Sequence, residues 1–245
     1  MWTIIFLLAI VLFATIIRST FGFGESLIAV PLLSFFLPIA TAVPLGVLIS
    51  ITVAGIVMVQ DHQKVDFKSA GGLILYALPG IPVGLLLLLY VPTVLTKVIL
   101  GLLICIYSLY SLFNKKLSKP VQSPRRWLQI CGLLSGILGG AYGLNGPPLV
   151  AYGNLRLWSA AQFRATLQAY FLPISFLTMI GYGYQGLLTA EVGHYYLISL
   201  PAVIPAIFLG RLLNHKLAKR AFLRYIFWGL ALVGIAMTVQ SVLIK

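Results

Sequence analysis

Ten apolar stretches run along the chain, at about 2–20, 25–37, 39–59, 69–89, 93–113, 127–139, 145–156, 160–181, 188–209 and 222–243, with polar residues gathered in the short connections. A helix that crosses a bilayer needs about 20 apolar residues. The stretches at 25–37, 127–139 and 145–156 fall short of that and are bounded by Gly and Pro. Short apolar runs broken by these residues read as half-helices or re-entrant hairpins. The pattern predicts about eight spans or near-spans, with broken helices around two Gly-rich turns.

The pattern also repeats. Gly22 precedes Pro31 by nine residues, and Gly139 precedes Pro148 by nine. Pro79 and Gly84 are five apart, as are Pro205 and Gly210; Lys97 follows Gly84 by 13, and Arg224 follows Gly210 by 14. Order is kept even where residue identity is not. Five segments per half is an odd number, so the second half is expected to be inverted relative to the first. The expected fold class is an all-α integral membrane protein of two inverted repeats, about five helical segments each, with broken or re-entrant half-helices. Residues 1–113 would form the first membrane repeat, 114–125 a cytoplasmic linker and 126–245 the second repeat.

Composition agrees with the pattern. The 245 residues are 60% hydrophobic and 9% charged, with a mean hydropathy of +1.04. Soluble domains carry about 25% charged residues. The net charge of +13 reflects 17 Lys and Arg against 4 Asp and Glu. In a soluble protein that balance would point to nucleic acid. Here the bases sit in membrane loops, so no nucleic-acid partner is expected, and anionic lipid is. Fifteen of the 17 bases fall in alternate connections; Lys97 and Lys245 are the exceptions. The positive-inside rule makes those connections cytoplasmic and puts both termini outside. If segments 1–2 and 6–7 are re-entrant, Arg18 alone moves from the cytoplasm toward the membrane interior. The first apolar run has no basic residue before it and no cleavage pattern after it, and reads as a retained helix. Cys105 and Cys131 lie in apolar runs and read as packing residues.

Two constellations carry candidate chemistry. The first is Phe21-Gly22-Phe23-Gly24-Glu25-Ser26. A helix starting near Glu25 would aim free N–H groups and a positive dipole end at the turn, an arrangement that binds anions. Glu25 is an acid flanked by apolar sequence, either a proton relay inside the membrane or a cap on the helix start. The second runs from Gly139 to Pro148. Asn145 is a preferred N-cap type and Pro147 suits a first helical turn. Gly143, Asn145 and Gly146 would then bind a ligand; the competing reading is close packing of small residues such as Gly136 and Gly140. Two such helix starts, one per inverted half, would face each other at the membrane centre.

Arg164, Gln168 and Phe171 share a helical face. Arg164 is either an anion ligand in a cytoplasmic vestibule or a residue snorkelling to the interface. Gln168 lies deeper and needs a partner, either helix or substrate. Thr41, Ser50 and Thr52 satisfy backbone or line a pore. His62, His194 and His215 lack ligand spacing, so no metal is expected. Neither a nucleophile–base–acid set nor a phosphate-binding loop occurs, so neither enzyme activity nor a cofactor is expected.

At Gly22-Phe23-Gly24-Glu25 with Val30-Pro31-Leu32-Leu33, at Gly139 to Val150, and at Phe163-Arg164-Ala165-Thr166-Leu167, the chain resembles the TauE/SafE family of sulfite-exporter-like anion permeases. The resemblance spans nearly the whole chain. It implies seven to nine membrane helices in a cell inner membrane and transport of sulfite, sulfoacetate or a related anion. The chain departs from the family pattern at Glu25, where many relatives have a small residue, which favours proton coupling there. The expected substrate-binding set is Gly22, Gly24, Glu25, Ser26, Gly143, Asn145, Gly146, Arg164 and Gln168. The partners are a small anion and the bilayer, with homo-oligomerisation open. The competing classes are a passive anion channel and a non-transporting membrane scaffold.

Overall fold

A computed structural model describes residues 2–113, 124–217 and 220–243. Most of the linker expected at 114–125 lies outside these residues, as does Lys245. The described chain is helical, with no strand among the described residues. Eleven helices follow in order: α1 (Trp2–Phe21), α2 (Glu25–Leu33), α3 (Ile39–Asp61), α4 (Phe67–Ala77), α5 (Gly80–Tyr90), α6 (Thr93–Phe113), α7 (Pro124–Tyr142), α8 (Gly146–Leu155), α9 (Ala160–Tyr184), α10 (Ala190–Leu217) and α11 (Arg220–Leu243).

Five described stretches are long and apolar enough to cross a membrane, within α1, α3, α6, α10 and α11. The pair α4 and α5, bent by 47° at Leu78 and Pro79, makes a sixth. Pro79 has no N–H to give the helix ladder, which accounts for the break. Their outward faces carry Phe6, Leu86, Ile106, Phe208 and Leu232, all exposed. In water such a surface would drive association; hydrocarbon is its natural solvent.

One segment is longer than expected. The stretch at 127–139 was too short for a span by apolar content alone, yet α7 has 19 residues. Polar Arg125 and Arg126 extend its start. Its glycines are tolerated because they pack: a Cβ on Gly132, Gly136 or Gly140 would strike the backbone of α4 or α5. Gly80 and Gly84 answer from the facing side, each against α7 backbone. The close-packing reading therefore holds for Gly136 and Gly140.

The helices pack in four main pairs: α1 with α10, α3 with α9, α6 with α11, and α7 with the bent pair α4 and α5. The α3–α9 pair is central. Of the candidate spans α3 is the most enclosed, with 61% of its apolar window buried. Ser50 on α3 and Ser175 on α9 meet at 3.3 Å in the interior. The α3–α4 connection is pinned to α9 by the Asp66 N–H, which donates to Thr166 Oγ1 at 3.0 Å. Asp66 also caps α4, accepting the Ser69 N–H at 3.1 Å and its hydroxyl at 2.7 Å. The short helices α2 and α8 do not span; each hangs inside the bundle from a glycine break.

Candidate functional site

The two breaks are built alike. Helix α1 ends at Phe21, and Gly22 and Gly24 take φ of 88° and 101° before α2 begins at Glu25. Helix α7 ends at Tyr142, and Gly143 takes φ of 67° before α8 begins at Gly146. Only glycine enters this left-handed region freely. Gly22 and Gly143, Glu25 and Gly146, and the starts of α3 and α9 at Ile39 and Ala160 are each 121 positions apart. Gly143, rather than the Gly139 paired with Gly22 by proline spacing, takes the left-handed turn. Gly139 lies inside α7.

The breaks meet. A Cβ on Gly143 would lie 3.6 Å from Ser26 Oγ, and one on Gly146 would lie 3.6 Å from Phe23 Cβ. Between them is a chamber lined by Arg18, Phe23 to Leu27, Ser50, Gly143 to Pro147 and Phe171. About 20 Å³ of it is open to the centre of a water molecule. That is room for one ordered water or a small ion.

Arg18, absent from the expected set and expected in the interior only if the first hairpin is re-entrant, is 3% exposed and faces Glu25, itself 2% exposed. Its Nη1 donates to Glu25 Oε2 at 2.5 Å and to Ser50 Oγ at 2.7 Å. Its Nη2 donates to the Ser50 carbonyl at 3.3 Å and to Gln168 Oε1 at 3.0 Å. The guanidinium lies 4.8 Å from the centre of the Phe171 ring, within cation–π range. Nε is buried without a partner. Glu25 completes its own bonding by accepting from Thr15 Oγ1 at 3.1 Å. Its carboxylate turns back to α1, so it does not cap α2. The sequence did hold a signal: a base and an acid seven residues apart, between two apolar runs, need each other in a membrane.

The helix starts are open toward the chamber. Gly24 is the N-cap of α2 and brings no side-chain cap, so the first-turn N–H groups of Glu25, Ser26 and Leu27 are uncapped. Asn145 holds the N-cap position of α8 but makes no capping bond. Its Oδ1 is buried without a partner, pressed against Gly139, where any Cβ would collide with it. Asn145 is 5% exposed and lines the chamber. Ser135 Oγ donates to the Asn145 carbonyl at 2.8 Å, and Tyr170 donates to Ser135 at 2.9 Å.

Of the expected set, Gly24, Glu25, Ser26, Gly143, Asn145 and Gly146 line the chamber; Gly22, Arg164 and Gln168 do not. Gln168 stands one layer back, its Nε2 donating to the Gly22 carbonyl at 2.8 Å. It thereby fixes Arg18 to the first break. Arg164 is held by Asp61 in an ion pair and by the Ser19 carbonyl at 3.4 Å. It packs on Gly22, where a Cβ would lie 3.0 Å from its Cα. No group of three or more metal-ligating side chains occurs among the described residues. Cys105 and Cys131 are unpaired.

These features define a multi-pass membrane protein with a polar chamber enclosed between two broken helices. The family model Sulfite exporter TauE/SafE matches residues 7–237, and the chain belongs to that family of membrane anion exporters. Among curated proteins it is similar to the probable sulfite/organosulfonate exporter TauE of Cupriavidus necator. That relative is 26% identical over 202 residues, covering 80% of this chain and 78% of the relative. No solved structure matches.

Proposed function

We propose that the chain is a secondary exporter of sulfite or a small organosulfonate such as sulfoacetate, with the chamber as its binding site. The observation that carries this reading is the polar chamber between two uncapped helix starts, lined by Arg18 and Asn145. The uncapped N–H groups of Glu25 to Leu27 hold the anion, Asn145 sets its selection, Gln168 holds Arg18 to the first break behind them, and Glu25 carries or gates a proton. Helix starts favour anions through their free donors and dipole. The matching breaks and the equal offset of 121 support two inverted repeats. The pairing supports them too: α3 with α9 and α6 with α11 are pairs of counterparts. Both termini then lie outside a cell inner membrane.

Expelling a monovalent anion from a negative-inside cell is downhill by about 2.3 kcal/mol per 100 mV. Membrane potential or a proton gradient therefore suffices without ATP. The chamber is small, so an anion larger than a water or two enters only when the halves move apart. That favours a carrier over a passive channel. Flux into proteoliposomes with sulfite and sulfoacetate is the test: a carrier gives saturable flux and counterflow. Unchanged flux in Asn145→Ala would remove Asn145 from the site, and unchanged flux in Glu25→Gln would end the proton relay.

A further inference from the structure

Of the four terminal N–H donors of Arg18, none is spare. Two go to neutral acceptors on α3 and one to Gln168 on α9. The fourth goes to Glu25, the only charged acceptor it has among the described residues. An anion entering the chamber meets a guanidinium already neutralised by a carboxylate. A bare anion added to that neutral pair would leave a net negative charge beside two buried side chains, which low-dielectric surroundings oppose strongly.

We infer that Arg18 is the cationic ligand of the transported anion and that Glu25 is a built-in competitor the anion displaces, with uptake of one proton. The inference rests on the transport reading above. The exchange balances. The Arg18 Nη1 to Glu25 bond breaks, a bond from Nη1 to an anion oxygen forms, and a proton taken up from bulk solution joins the Glu25 carboxylate. For a monovalent anion the chamber is neutral before and after. Protonated Glu25 keeps a partner, because the Thr15 hydroxyl accepts as well as donates. Ser50 and Gln168 hold the other Arg18 donors through the exchange, so the guanidinium stays aimed.

Other charges stand apart from the pair. Asp61 on α3 and Arg164 on α9 neutralise each other. Lys97 on α6 meets α2 at its far end, donating to the Ser34 carbonyl at 2.8 Å. On α10, Arg211 follows Gly210, which abuts α1 at Ser19 rather than Arg18. On α7 and α9 the titratable groups near the second break are the phenols of Tyr142, Tyr170 and Tyr182, Tyr170 donating to Ser135 at 2.9 Å and Tyr182 to the Gly140 carbonyl at 2.8 Å. None offers Arg18 an alternative counter-ion.

The experiment is calorimetric titration of the purified protein with methanesulfonate, whose charge is fixed, and with sulfite, from about pH 5.5 to 8. Two buffers of different ionisation heat report the protons. Wild type is expected to take up one proton per methanesulfonate, its affinity falling about tenfold per pH unit where linkage is complete. Glu25→Gln is expected to bind at least as tightly, with no proton uptake and a flat pH profile. Arg18→Gln placed in the Glu25→Gln background, folded by its thermal melt, is expected to lose binding. Binding by wild type without proton uptake, or full binding by that double variant, overturns the inference while leaving the transport reading intact. Failure of wild type to bind either anion at any pH brings down the transport reading and this inference with it.

Discussion

The two helix breaks share a backbone and differ in chemistry. At positions 121 apart, both end a long helix with a left-handed glycine and start a short one without a capping side chain. Yet the positions that match Arg18 and Glu25 are Gly139 and Gly146, carrying no charge. The first break holds a buried ion pair and three successive N–H groups. The second holds one polar side chain, Asn145, and two prolines. One scaffold thus serves two tasks: charge neutralisation on one side, and a neutral wall with a single amide on the other.

The comparison breaks hardest at Arg18. Arg18→Ala strands a buried carboxylate, with an expected loss of about 3–5 kcal/mol and a large drop in detergent melting temperature. The paired change Arg18→Met with Glu25→Leu should recover most of that stability while abolishing flux, since buried pairs exchange for apolar groups near neutrally. No such coupling is expected between Gly139 and Gly146. At the second break the effect should be on transport instead. Asn145→Ala should lower flux about tenfold or more, the worth of a hydrogen bond to a charged group. Its melting temperature should barely move, because Oδ1 has no partner to lose.

Backbone conformation is where the halves should agree. Gly22→Ala and Gly143→Ala should each lose about 1–2 kcal/mol from left-handed strain alone. Gly22→Ala should be the worse, since its new methyl meets the Arg164 backbone while that of Gly143 meets the movable end of Val47. Thermal melts of the two variants rank them. A change away from both breaks sets the baseline. Burial pushes the Asp66 carboxyl up, but the Ser69 hydroxyl and amide, with Arg156 and Trp158, outweigh it and hold it below its ordinary value. A depressed carboxyl stabilises the fold above its ordinary value and stops doing so as the pH falls through its lowered one. Asp66→Ala should lose about 1 kcal/mol at neutral pH, a deficit that closes as the pH drops below 3.8, with flux unchanged.

Much of this fold is legible in the chain. Each of the ten apolar stretches corresponds to a helix, the fourth to the bent pair α4 and α5, and both breaks lie where Gly-rich turns interrupt short runs. Gln168 was marked as needing a partner and has two. What stayed hidden depends on contacts between distant segments. A glycine that packs, such as Gly139, and one that turns, such as Gly143, look alike in sequence, so proline spacing picks Gly139 where the backbone turns at Gly143. Arg18 at the end of an apolar run looks like an interfacial anchor. It becomes an interior group only because α2 folds back and brings Glu25, seven residues on, against it. Arg164, which reads as an anion ligand or an interfacial residue, pairs instead with Asp61, 103 positions away in the chain.

The adjacent prolines at the start of α8 have a consequence for letting go. Pro147 and Pro148 carry no N–H, so the second short helix grips a guest with little more than one amide and Asn145. In the proposed site a bound anion would be tethered to the first break and merely fenced by the second. Moving that fence aside would tear few bonds, so departure would stay quick even when the hold is firm.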